Sequence, residues 1–174
     1  MEYNRNLRLS IKYHLSGLLV DYGYVNVYGE QEMRKAAAGT FTTGSNPFIF
    51  LVDTFVNPME TTLPFIALEV QNIGREAHEL GTDGTGRQIT VFIHVFGKSR
   101  GERDDISSYL QDNIGRSIPF NDYTTAGSPA AYTYPIQRTG GIEVSDVPPI
   151  TNEQLQEHSL ANWNIVLFKA GTIA

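Results

Sequence analysis

Phe65-Ile66-Ala67-Leu68-Glu69-Val70-Gln71 and Gln88-Ile89-Thr90-Val91-Phe92-Ile93-His94-Val95-Phe96-Gly97 decide the fold. In the first run Ile66, Leu68 and Val70 alternate with Ala67, Glu69 and Gln71; in the second, Ile89, Val91, Ile93 and Val95 form the inward set and His94 falls on the outer face. Successive strand side chains point to opposite faces, so each run reads as a strand and the two are expected to pair antiparallel. Between them lie residues 72–87, a 16-residue connector with Gly74, Gly81, Gly84 and Gly86. A tight hairpin needs only ~2–5 residues, and a connector this long marks a functional or mobile segment.

Upstream, Phe48 to Val56 is apolar on both alternating faces apart from Asp53 and Thr54, the pattern of a central strand covered on both sides, and Asn57-Pro58 ends it. Leu7, Ile11, Leu15, Leu18, Leu19 and Tyr22 recur at helical spacing, which predicts a helix over about 5–22 stopped by Gly23. Tyr24 to Tyr28 is a short β-like run, and the residues from there to Asn46 are small and polar, with Gly39 to Asn46 reading as loop.

Downstream, Arg103-Asp104-Asp105 is expected to open a helix with an acidic N-cap and a buried stripe of Ile106, Tyr109, Leu110 and Ile114, closed by Gly115. Thr124 to Pro149 reads as a loop-rich arm in which Ile142-Glu143-Val144 has strand character; a helical turn is expected at Asn152 to His158 and a last strand at Trp163 to Phe168. The order predicts one α+β domain over 1–174. Its mainly antiparallel sheet has helices packed on one face, a long inter-strand connector and an extended C-terminal arm.

The chain has 174 residues, 13 Lys plus Arg against 19 Asp plus Glu, a formal net charge of −6 and no cysteine. A single domain of this size buries enough surface to need no covalent staple, and the missing thiols remove disulfides, thiolate metal sites and cysteine nucleophiles. The acidic balance argues against a general nucleic-acid binder but suits a surface that repels DNA. With 41% hydrophobic, 11% aromatic and only 18% charged residues, some surface is expected to be hidden against a neighbour. The amino-terminal residues lack a basic stretch followed by an apolar run, so no signal peptide is expected, and no window is apolar enough for a transmembrane helix. The expected compartment is reducing and cytoplasm-like.

The motifs that carry chemistry are weak. His14, His78, His94 and His158 lack a metal-ligand spacing such as H-E-x-x-H. Gly81-Thr82-Asp83-Gly84-Thr85-Gly86-Arg87 precedes a strand and contains no Gly-Lys-Ser/Thr, so it reads as a turn centred on Asp83-Gly84 and not as a phosphate cradle. Glu69, Glu76, Glu79 and Asp83 form no recognisable catalytic pair, and there is no G-x-S-x-G elbow. No catalytic residue, metal or cofactor is expected. The positive signal is nine Tyr, nine Phe and two long low-charge segments, 72–87 and 124–150, the material an assembling subunit uses to wrap its neighbours. On these segments Arg75, Glu76, His78, Glu79, Asp83, Arg87, Tyr132 and Tyr134 are the candidate interface residues.

The amino-terminal helix, the strand ending at Asn57-Pro58, the strand pair around its connector, Phe96-Gly97-Lys98-Ser99-Arg100-Gly101-Glu102-Arg103-Asp104-Asp105 leading into a helix, and Ile118-Pro119-Phe120-Asn121-Asp122-Tyr123 together resemble the tail-terminator and neck proteins of tailed bacteriophages. The similarity covers about residues 5–125 and the last strand, and rests on order and spacing. It implies a virion protein assembled in the host cytoplasm. Such a protein would form a ring of identical subunits, a hexamer in this family, that caps the tail tube and joins it to the head connector. Its implied partners are other copies of itself, the tail tube protein and the head-to-tail connector or adaptor protein, with DNA passing through the lumen without specific binding. An acidic lumen suits that passage, since like charge repels phosphates within ~8–10 Å. The alternatives are a head-completion or minor capsid protein and, from another class, a small ligand-binding or hydrolytic domain with residues 72–87 as a lid over His78, His94 and Glu69.

Overall fold

The protein is described from a computed structural model that covers residues 3–53, 63–77, 85–124, 130–131, 135–147 and 163–173. Among these residues it is an α+β fold of three helices and a seven-stranded mixed sheet. The helices are α1 (Tyr3–Tyr22), α2 (Glu30–Ala37) and α3 (Arg100–Asn113). The strands are β1 (Asn26–Tyr28), β2 (Phe48–Val52), β3 (Phe65–Ala77), β4 (Thr85–Phe96), β5 (Ser117–Ile118), β6 (Asn121–Asp122), β7 (Ala130–Ala131), β8 (Ile136–Asp146) and β9 (Trp163–Ile173). The large sheet runs β1-β2-β3-β4-β9-β8-β5, and β6 pairs separately with β7. The pairs β1–β2 and β2–β3 are parallel; every pair from β3 to β5 across the sheet is antiparallel.

Helix α1 forms because Leu7, Ile11, Leu15 and Leu19 fall at i, i+4 spacing and are all buried. It stops where expected: Gly23 has φ +129°, a conformation that costs a side-chain-bearing residue energy, and Tyr24 N–H bonds back to Leu19 O at 3.1 Å. Helix α3 begins earlier than Arg103. Ser99 is the N-cap, its hydroxyl accepting from Glu102 N–H at 3.2 Å, while the Glu102 carboxylate accepts from Lys98 N–H at 2.6 Å. The Ser99 hydroxyl takes the cap in place of the expected aspartate because it satisfies an orphan amide of the first turn, while the Glu102 carboxylate binds the Lys98 amide just ahead of the cap.

Both helices lie on one face of the sheet. Their apolar stripes meet Ile49 and Leu51 of β2, Ile66 and Leu68 of β3, the Ile89–Val95 set of β4, and Val166, Phe168 and Ala170 of β9. The short α2 covers part of the other face, where Met33 packs with Phe50, Val52, Phe65, Ala67 and Phe96. Helices therefore occupy both faces, correcting the one-face arrangement expected from sequence. Strand β2 is apolar on both alternating sets because it separates these two clusters. Phe65 and Phe96, cross-strand partners, stack with centroids 4.3 Å apart.

Two segments read as irregular are strands. The β3–β4 ladder continues past Asn72 through a bulge to Gly74↔Gln88, Arg75↔Arg87, Glu76↔Gly86 and Ala77↔Thr85, so most of the supposed connector is hairpin. Its polar composition on both alternating sets hid it, since no apolar period marks the strands there. Likewise the arm 124–150 contains β8, which joins the sheet beside β9. The expected turn at 152–158 lies outside the described residues.

Candidate functional site

Four features bear on function. The first is the distal half of the β3–β4 hairpin. Among the β4 side chains whose burial is described, Ile89 is the outermost fully buried one on this side, and Asn72, its partner on β3, precedes the bulge. The pairs from Gly74↔Gln88 to Ala77↔Thr85 lie beyond it, joined by β9 through Gly86↔Ile173 and Arg87↔Thr172. This distal part is a three-stranded ribbon roughly 10–15 Å long at ~3.3 Å per residue. It brings candidate residues Arg75 and Arg87 to one register position, with Glu76 on the adjacent rung. His78, Glu79, Asp83, Tyr132 and Tyr134 lie outside the described residues.

The second feature is a pair of open sheet edges. Strand β1 pairs only with β2, and β5 covers β8 only at Ile136 and Gln137, leaving the edge from Arg138 to Asp146 without a strand partner among the described residues. Unpaired edges are templates for further strand pairing. Beside the β1 edge, Val25 is 60% exposed, and Tyr13 and Val20, two turns apart on α1, are 58% and 52% exposed. A groove of about 150 Å³ lies between α1 and the β1–β2 end of the sheet, lined by residues including Leu9, Tyr13, Ser16, Val27 and Tyr28.

The third is a polar network that fixes α3 to β8 and β9. Arg103, almost wholly buried, donates from Nε and Nη2 to Asp104 Oδ1 at 2.9 and 2.6 Å and pairs with Asp146 Oδ1 at 2.8 Å. Asn164 Nδ2 donates to Asp104 Oδ1 and Ser107 Oγ, both at 3.2 Å. Desolvation raises the Asp104 pKa, but hydrogen bonds from Arg103 and Asn164 and the Arg103 and Arg100 charges outweigh it and hold the carboxyl below its ordinary value. A comparable clip ties residues 121–124 to α1. Asn6 donates to Asp122 Oδ1 at 2.8 Å and accepts from Tyr123 N–H at 3.1 Å, while the Thr124 hydroxyl and amide lower the Asp122 pKa.

The fourth is the pair His94–Glu69, the part of the hydrolytic alternative that falls on described residues. His94 Nε2 lies 3.3 Å from Glu69 Oε2, and Gln71 Nε2 donates to Glu69 Oε1 at 2.7 Å. His94 is on the predicted face but buried, not exposed. Burial lowers its pKa against the opposing pull of Glu69, so the contact is the hydrogen bond of a neutral imidazole. Such a His–carboxylate pair orients the ring.

Among the described residues no group of three or more His, Cys, Asp or Glu side chains converges as a metal site, and no helix is long and apolar enough to cross a membrane. Two arginines unmarked in the sequence, Arg116 and Arg138, come together where β5 meets β8, because the Arg138 amide bonds to the Arg116 carbonyl at 2.8 Å. No local signal announces them, since they are 22 residues apart and only strand pairing makes them neighbours. Compared with known proteins, the sequence matches no family model and no curated protein.

Proposed function

We propose that this chain is a structural subunit of a tailed-phage particle. Copies join head to tail into a ring that ends the tail tube and connects it to the head side, as a tail terminator or related neck protein. The observation that carries the reading is the open sheet with two unlike edges. Strand β1, with exposed Val25 just before it and exposed Val20 near the end of α1, stands at one end, and toward the other lies the stretch of β8 beyond β5, which has no strand partner on that side among the described residues. An interface between two different surfaces of identical subunits repeats, and it closes into a ring when the rotation per subunit divides a full turn. Exposed valines beside a strand edge supply apolar area for that contact. The distal hairpin ribbon reaches outside the core and supplies a projection toward a second subunit, the tube protein or the connector.

The mechanism is one of binding geometry. A closed ring presents one face to the tube end, blocking further addition, and its other face to the connector. The net charge of −6 suits a channel through which DNA slides without adhering.

The test is solution mass by light scattering across protein concentration, alone and with tail tube protein. A discrete ring-sized species, either spontaneous or formed on tube ends, supports the reading. A monomer that ignores tube and connector proteins at every concentration sinks it and favours the ligand-binding alternative.

A further inference from the structure

Arginines in a chain with more acidic than basic residues normally find carboxylates, and Arg34, Arg100 and Arg103 do so here. Arg116 and Arg138 do not: neither makes an ion pair among the described residues. They line a cavity of about 300 Å³ together with Thr139, Gly140 and Gly141, the residues of the irregularity that interrupts β8 between Arg138 and Ile142. Its two ends are anchored. Arg138 N–H bonds to Arg116 O at 2.8 Å, and Gln111 on α3 donates its side-chain amide to Ile142 O at 3.1 Å.

The orientation of Arg138 is also fixed. Its Nη1 donates to Gly140 O at 2.8 Å, within the irregularity itself. Its Nε is shielded from solvent and has no acceptor among the described residues. A guanidinium is a planar fork of five donors, and tying Nη1 to a carbonyl leaves the Nε–Nη2 edge, whose two N–H groups are parallel and spaced for two oxygens of one anion. A shielded, charged N–H without an acceptor is costly and calls for an anionic partner. Arg116, exposed on the cavity wall, brings the second positive charge.

We propose that Arg116 and Arg138 form a binding site for a phosphate group, with Arg138 as the bidentate anchor and Arg116 as the second cation. Two guanidiniums around one cavity match a tetrahedral oxyanion carrying one or two charges, and Gly140 and Gly141 keep the approach open, since a Cβ on either would meet nothing within 4 Å. The site is a local exception to the net charge of −6 and stands independently of the ring reading. Its phosphate is either free, as inorganic phosphate or a mononucleotide, or part of a nucleic-acid backbone.

The experiment is a titration of the intact chain with inorganic phosphate, followed by NMR at the Gly140 and Gly141 amides and the Arg138 Nε–H. Saturable shifts confined to these groups are expected, with affinity about tenfold weaker in Arg116→Gln, which removes one charge-assisted contact from an exposed position. Gly140→Asp, for which the backbone has room, places a carboxylate beside the guanidiniums and is expected to remove the phosphate response altogether. Competition by a short DNA duplex assigns the backbone as the source, and competition by mononucleotide alone assigns a free ligand. Absence of saturable shifts in the wild type, or unchanged affinity in both variants, overturns the proposal.

Discussion

Arg103 Nη2 reaches Asp146 Oδ1 at 2.8 Å, joining the first turn of α3 to the end of β8, and the same guanidinium holds Asp104 on its own helix. Because Arg103 is almost wholly buried while Asp146 is more than half exposed, the two partners are not equivalent. Arg103→Met is expected to lower unfolding free energy by about 2 kcal/mol, since it strips hydrogen bonds from two carboxylates, and Asp146→Asn by about 1 kcal/mol or less. Denaturant unfolding at neutral pH measures both. The depressed Asp104 pKa adds a pH signature. Its contribution is present above the ordinary value of 3.8 and is lost as pH falls through the lower folded value, so Arg103→Met should flatten the stability profile in that acid window.

Histidine titration should appear at higher pH. Burial lowers the pKa of both His14 and His94 in the folded protein, with Glu69 partly opposing the shift at His94. For a base whose folded pKa is depressed, the unfolded chain binds the proton first. Stability is therefore highest above the ordinary value of 6.5 and declines as pH falls from there toward the folded pKa. His94→Leu is expected to shallow that decline, as measured by thermal unfolding between pH 5 and 8. An unchanged slope would assign the decline to other groups.

Gly97 cannot accept a side chain without movement. A Cβ there would sit 2.7 Å from the Arg103 backbone nitrogen and 2.8 Å from the Ser99 carbonyl oxygen, both fixed parts of the α3 entry. Gly97→Ala is expected to cost about 1–3 kcal/mol by overpacking. At Gly23 the obstacle is conformational, because φ is +129° and the space around it is open, so Gly23→Ala should cost about 1 kcal/mol. Midpoint shifts in urea rank the two.

Assembly should be separable from folding. Val20→Glu with Val25→Glu alters side chains that are mostly exposed, leaving the monomer's circular dichroism and melting temperature close to wild type while abolishing ring formation. Deleting residues 76–85 shortens the hairpin beyond the core and is expected to leave a folded chain that no longer joins its partners. Rings of normal mass from the double variant would place the contact elsewhere.

Much of the fold is legible wherever burial writes a period into the sequence. Leu7, Ile11, Leu15 and Leu19 predict α1, and the alternation of Ile66 and Leu68 with Ile89 to Val95 predicts the central hairpin and its register partners. Helix α2 is invisible because it buries a single residue, Met33, and so leaves no stripe. The outer rungs from Gly74 to Ala77 are invisible for a related reason, since their strand state follows from backbone pairing with Thr85 to Gln88 while their sequence carries no apolar alternation. In β8 only Ile142 and Val144 alternate, so the sequence shows that short run and not the full strand. The sequence places the candidate interface residues on long irregular segments, whereas Arg75, Glu76 and Arg87 are strand residues, and the Arg116–Arg138 neighbourhood arises only once β5 and β8 meet.

The placement of β9 beside β4 has a consequence for synthesis. Phe96 pairs with Trp163, so one edge of β4 waits for a segment made much later. At ~5–20 residues per second, the interval between Phe96 and Ile173 leaving the ribosome is roughly 4–15 s. During that time Ile89 to Phe96 offers a naked, uncharged β template to any other nascent chain. Yield of the native protein should therefore depend on how crowded its own messenger is with ribosomes, a vulnerability that arises from strand order and not from final stability.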